Sequence, residues 1–177
     1  IEALSLPGIA IVGTRRPSLA GIELARELAS QLAEAGFCVV SGLARGIDTA
    51  AHRGALDAGG ATIGVMATGC DRIYPAENNK LAHAMSEQGL LVSEFCPGAQ
   101  PHRWHFPRRN RTLSGLALAT VVVEAGRPSG TLITAAAAGE QGREVFAFPW
   151  SVRHKGGAGC LYLLQQGATL ATSASDI

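Results

Sequence analysis

The chain lacks what several function classes require. No Cys-x-x-Cys pair occurs, since Cys38, Cys70, Cys96 and Cys160 stand far apart. Zinc ribbons and thiol–disulfide centres are therefore excluded, and the four are expected to be small buried hydrophobes in a reducing compartment. Charged residues make up only 16% against 47% hydrophobic, which excludes a disordered chain. No window of about 18 residues is free of charges and helix breakers, so a transmembrane helix is excluded. No charged-apolar-small signal segment opens the chain, and a cytoplasmic location is the expectation. Neither Lys80 nor Lys155 follows a Gly-rich loop and precedes Ser or Thr, so there is no Walker A loop. There is no Gly-x-Ser-x-Gly elbow. No metal, no cofactor and no catalysis are expected. A basic excess, the usual footprint of a nucleic-acid partner, is also missing: 15 Lys+Arg face 14 Asp+Glu, a net charge of +1.

What the chain does have is alternation. Its 177 residues suit one domain, residues 1–177. Strand-like runs at Ile9–Gly13, Phe37–Val40, Ala61–Met66, Leu90–Glu94, Thr120–Glu124 and Val145–Phe148 are separated by segments of helical period. These are Gly21–Ala35, Ile47–Ala58, Asn78–Gln88, Thr131–Gln141 and Gly159–Gln166. Several runs are continuously apolar, as in strands buried on both faces of a parallel sheet. The expected fold is α/β: an extended Rossmann-like, doubly wound, mostly parallel sheet with helices on both faces. Ligands of such folds bind beyond the carboxyl ends of the strands.

Three strand ends carry the same features. Gly13-Thr14-Arg15-Arg16 follows the first strand and leads into a helix, whose N-terminus offers N–H groups and a positive dipole to a phosphate. This is not GxGxxG, and the second strand ends in Ser41-Gly42 rather than an acidic residue, so a dinucleotide is disfavoured. The turn Ser41-Gly42-Leu43-Ala44-Arg45-Gly46 can converge successive N–H groups into an anion-binding nest, with Asp48 a candidate helix cap. His52 is expected to pack at the helix–sheet interface rather than act as a base. After the fifth strand, Ser129-Gly130-Thr131 reads as an N-cap followed by a first helical turn.

Cys96–Arg111 reads as a long functional loop, too rich in Pro and Arg for a helix or a strand. Within it, Pro101–Arg111 holds four Arg and two His without one acidic residue, interleaved with Trp104 and Phe106. Cations that track phosphates, together with flat rings on which bases stack, are what a sequence-tolerant single-strand site needs. The plainer alternative is a solvated basic loop whose rings cover the core. The other 166 residues carry 11 Lys+Arg against 14 Asp+Glu, so the near-neutral total hides a local basic rim.

Four runs closely resemble the bacterial DNA-processing protein A family (DprA, also called Smf): Ile11–Arg15, Ser41–Asp48, Phe106–Arg111 and Ser129–Ala135. Tyr74-Pro75, Ser93-Glu94 and Gly142–Ala147 extend the match in order over nearly the whole chain. The resemblance implies a Rossmann-like core that binds single-stranded DNA, forms a homodimer and loads a RecA-type recombinase during natural transformation. It places Arg15 and the Ser41–Gly46 turn on phosphates, with Phe106 and Arg108, Arg109, Asn110 and Arg111 close to the strand. Thr14 stands where the family usually has Ser. Trp150 stands where Pro149 is usually followed by Gly, which bears on the following loop, Ser151–Gly157. The family's small helical domain before this core and winged-helix domain after it are expected to be absent. The competing enzyme class is the nucleoside-monophosphate phosphoribohydrolases of the lysine-decarboxylase-like (LOG) family. Of their Pro-Gly-Gly-x-Gly-Thr-x-x-Glu motif this chain retains only Gly130-Thr131.

Overall fold

Runs such as Gly8–Val12 and Thr62–Met66 bury every residue, because consecutive side chains point to opposite faces and both faces are covered. In the computed structural model, which describes residues 2–177, the strands are β1 (Gly8–Val12), β2 (Cys38–Ser41), β3 (Thr62–Met66), β4 (Leu90–Ser93), β5 (Ala119–Val122), β6 (Glu144–Ala147) and β7 (Thr169–Leu170). They form one sheet in the order β4-β3-β2-β1-β5-β6-β7, with every pairing parallel. The two-residue, exposed strand β7 has too little apolar pattern to be foreseen.

Helices cover both faces, as a doubly wound sheet requires. On one face, α1 (Leu19–Glu34) and α2 (Ile47–Asp57) pack Ala25, Leu28, Leu32, Ile47 and Ala51 against Ile9, Ile11, Val39 and Val121. On the other, α4 (His105–Gly115), α5 (Gly130–Glu140) and α6 (Ala158–Gln165) bring Leu113, Ala135 and Cys160 against Ala10, Val12, Val40 and Val122. Helix α3 (Asn79–Gln88) seats Leu81, Ala82 and Met85 in a smaller cluster with Leu43. Among the described residues, no helix is long and apolar enough to cross a membrane.

Two expectations are corrected. The segment Cys96–Arg111 is not loop throughout: from His105 it is helix α4. Pro107 falls in the first turn, where its missing N–H is no loss. Of the four cysteines only Cys38 and Cys160 are buried, and burial pushes their thiols up to about 11 and about 12. Cys70 and Cys96 are exposed on the turns after β3 and β4.

Candidate nucleic-acid interface

The strand order makes β1 the switch point. The chain leaves β1 toward β2 through α1 on one face, and β5 lies on the other side of β1 with α5 on the opposite face. Connections that diverge in this way leave a crevice at the carboxyl ends of the two strands. A cleft of about 600 Å³ opens there. Its walls are Gly13, Thr14, Arg15 and Arg16 after β1, Ser129, Gly130 and Thr131 at the start of α5, and Arg103, Phe106, Arg109 and Asn110 from the start of α4.

The three turns are not equivalent. At the first, the N-terminus of α1 already faces a carboxylate. Ser18 caps the helix by accepting from the Gly21 N–H, and its own N–H and hydroxyl both donate to Glu124 at 3.0 Å. Glu124 follows β5, has 2% of its side chain exposed, and also lies 2.9 Å from His154 Nε2. A Cβ on Gly21 would stand 2.0 Å from its Oε2, so only glycine lets the carboxylate in. The positive helix end is thus offset from within the fold.

The second turn forms the expected nest, but its anion is the protein's own Asp48. Gly42 and Ala44 donate their N–H groups to Asp48 Oδ2 at 3.1 and 3.3 Å, while the Leu43 N–H between them donates to His52 Nε2 at 3.3 Å. Asp48 therefore does not cap α2, whose N-cap residue Gly46 has φ 78° and no side-chain cap. Leu43 is held at φ 56°, a conformation unfavourable for a residue with a side chain. His52 below it and Asn78, which donates to the Leu43 carbonyl at 2.9 Å, stabilise it there. Ser41 is buried and donates to the Ile11 carbonyl. Of the N–H donors assigned to a phosphate at Ser41–Gly46, those of Gly42, Leu43 and Ala44 are therefore engaged. Only the third turn keeps its expected form: Ser129 accepts from the Thr131 N–H at 3.1 Å, and α5 opens on the cleft.

Arg109 departs furthest from expectation. It is buried, 5% exposed, and donates through Nη1 to the carbonyls of Gly42 and Val65. Burial lowers its pKa and raises that of Asp48, and the attraction between the two opposes both shifts. Arg109 thus tethers α4 to the ends of β2 and β3 and offsets the Asp48 carboxylate beneath the cleft. Three other expected contacts lie in surface ion pairs: Arg45 with Glu77, Arg108 with Glu94 and Arg111 with Glu140. Such exposed pairs are weakened by solvent and salt, so they do not bar these side chains from a phosphate. Arg15, Arg16 and Arg103 line the cleft and, among the described residues, have no carboxylate partner.

The two rings of the Arg-rich segment diverge. Phe106 lines the cleft, with the Arg15 guanidinium 5.1 Å from its centroid and the Tyr74 ring edge-on at 6.0 Å. Trp104 turns outward and is 70% exposed. His52 fulfils its expectation: fully buried, it lies 2.7 Å from Thr62 Oγ1, and burial lowers its pKa to about 3. Trp150 closes the loop in question. Its indole N–H donates to the Val123 carbonyl at 2.7 Å, its ring packs on His154, and a Cβ on Gly157 would collide with it. Sequence reading missed Glu124 and Asn78, whose partners lie far away in the chain. It named Arg103 only as part of a basic run.

The family described as DNA recombination-mediator protein A matches residues 1–177. The chain is 47% identical over 169 residues to the DNA processing protein DprA of Bacillus subtilis, covering 96% of this chain and 57% of that protein. To the Streptococcus pneumoniae DprA it is 44% identical over 177 residues, covering all of this chain and 62% of the relative. It therefore spans about three-fifths of these relatives' lengths. The X-ray structure of the S. pneumoniae protein superposes with a TM-score of 0.92 over 99% of this chain and 62% of that one. DNA processing protein A from Helicobacter pylori, a structure described for its unique single-stranded DNA binding mode, gives 0.91 at 30% identity, over 99% of this chain and 80% of that one. The molybdenum cofactor carrier protein of Chlamydomonas reinhardtii, 19% identical with a TM-score of 0.65, shares the fold alone. Matched over its whole length, the chain belongs to the DNA recombination-mediator protein A family.

Proposed function

We propose that this chain binds single-stranded DNA in the cleft between the ends of β1 and β5, without catalysis. As part of a homodimer in the cytoplasm, it protects incoming strands and loads a RecA-type recombinase onto them during natural transformation and recombination. One observation carries the DNA reading: Arg15 lies over the Phe106 ring in a cleft where Arg15, Arg16 and Arg103 have no carboxylate partner. Cations beside a ring match a phosphodiester beside a base, and a ring can take up a base face only where the base is unpaired.

The H. pylori relative's single-strand binding mode supports the same reading. The family description as recombination mediators supports the recombinase part, and the resemblance supports the homodimer. For a non-catalytic role, Asp48, the carboxylate among the described residues that line the cleft, is already engaged by two main-chain N–H groups. The test is a mobility-shift titration of the chain against single- and double-stranded oligonucleotides across salt. Preference for the single strand, with affinity falling steeply as salt rises, is the expected result. Equal or absent binding to both would overturn it.

A further inference from the structure

Trp104 is the large ring that the cleft does not use. Most of its surface faces solvent at 70% exposure, although an indole is among the groups most favourable to bury. The ring is nonetheless well braced. The His102 imidazole lies parallel to it, centroids 4.9 Å apart with 1° between planes. His105 meets both rings edge-on, stacks on Phe95 at 4.0 Å, and holds its Nδ1 3.1 Å from the Ala67 carbonyl at the end of β3. The His105 N–H donates to the His102 carbonyl and closes the turn that carries the pair. One indole face is thus backed by His102, leaving an exposed ring that needs little ordering to receive a partner.

The position of this pair is informative. Arg103, the residue between the two stacked rings, lines the cleft. A phosphate on Arg103 would therefore deliver its neighbouring base to Trp104. The segment suits a polyanion, because residues 95–105 contain no acidic side chain, Glu94 just before them pairs with Arg108, and the Asp71 carboxylate that reaches the segment accepts the Gly98 N–H.

From this geometry we propose that Trp104, backed by His102, is a second base-stacking subsite outside the cleft, where single-stranded DNA continues after passing Arg103. The subsite takes any base, because every base has a flat face. It makes binding depend on strand length: short strands fill the cleft alone, and longer ones also cover the platform. The inference rests on the cleft reading, and the experiment separates the two.

Binding of the wild-type chain and of Trp104→Ala and Trp104→Phe is measured on oligo(dT) of about 4 and about 20 nucleotides, with tryptophan emission followed in parallel. The expected results are unchanged affinity of Trp104→Ala for the short strand and a loss of about fivefold or more on the long one. Trp104→Phe, which keeps a flat ring, recovers most of that loss. The long strand quenches wild-type emission, and this quench disappears in Trp104→Phe. Thermal melting shows whether the variants are folded, and the unchanged short-strand affinity serves as an internal control. If Trp104→Ala binds the long strand as tightly as wild type, or if Trp104 emission does not respond to it, the platform is refuted while the cleft stands. If the wild-type chain binds neither strand, the cleft reading fails and the platform with it.

Discussion

Arg109, buried on α4, donates through Nη1 to the carbonyl of Gly42 at the end of β2, 67 residues earlier in the chain. A guanidinium in the Arg-rich segment therefore helps hold the cleft together and compensates the buried Asp48 carboxylate. Arg109→Ala should cost about 3–5 kcal/mol of unfolding free energy, because it leaves a buried carboxylate and two carbonyls without their cation. Urea denaturation measures this. Loss of DNA affinity with stability intact would instead make Arg109 a direct contact.

Gly42 lies where Arg109 and Asp48 converge. A Cβ there would stand 2.4 Å from Arg109 Nη1 and 2.7 Å from Asp48 Oδ2, and both groups are fixed by other hydrogen bonds, Arg109 to the Val65 carbonyl and Asp48 from the Ala44 N–H. Gly42→Ala should therefore destabilise by about 1–3 kcal/mol, the usual range for overpacking, and weaken single-strand binding in parallel. A fully stable variant would show that the turn can relax.

Arg15 is exposed and holds no carboxylate, so its removal should leave the melting temperature unchanged. Arg15→Ala should weaken single-strand binding and reduce the slope of log K against log salt by about 0.7, the value for one phosphate contact. The same slope in wild type and variant would remove Arg15 from the phosphate path.

His52 sets a pH limit on stability. Its folded pKa, about 3, lies below the ordinary value of 6.5, so the unfolded chain binds the proton more readily than the folded one. Its stabilising effect is complete above pH 6.5 and is lost as pH falls toward 3. Urea midpoints should fall across that window, and His52→Gln, which does not titrate, should make the fall shallower. An unaltered profile in the variant would assign acid sensitivity to other groups.

A non-catalytic cleft should release no free base from nucleoside monophosphates. Chromatography after prolonged incubation checks this, and accumulation of adenine or guanine would restore the phosphoribohydrolase alternative.

Much of the fold was legible because it is repetitive. Six of the seven strands and five of the six helices announce themselves by apolar period, and strand-end turns in such a sheet share one rim. Helix α4 was hidden for physical reasons. Its buried side is narrow, with Leu113 and Ser114 beside Arg109, so a cation occupies a core position and blurs the helical period. Pro107 in the first turn also resembles a loop signal.

The sequence by itself determined the α/β class, the family and the segments that meet at the site, because these follow from local periodicity and contiguous motifs. Only the tertiary structure decided which groups in those segments are free. Glu124 reaches Ser18 across 106 residues, and Asp48 turns back onto Gly42 and Ala44. Each satisfies N–H donors that look available in a motif read alone. Hydrogen-bond donors in a folded core are claimed by whatever acceptor packing brings near, and sequence spacing does not record that proximity. For the same reason four neighbouring side chains part ways: Arg109 inward to the core, Arg103 and Phe106 to the cleft, and Trp104 out to solvent.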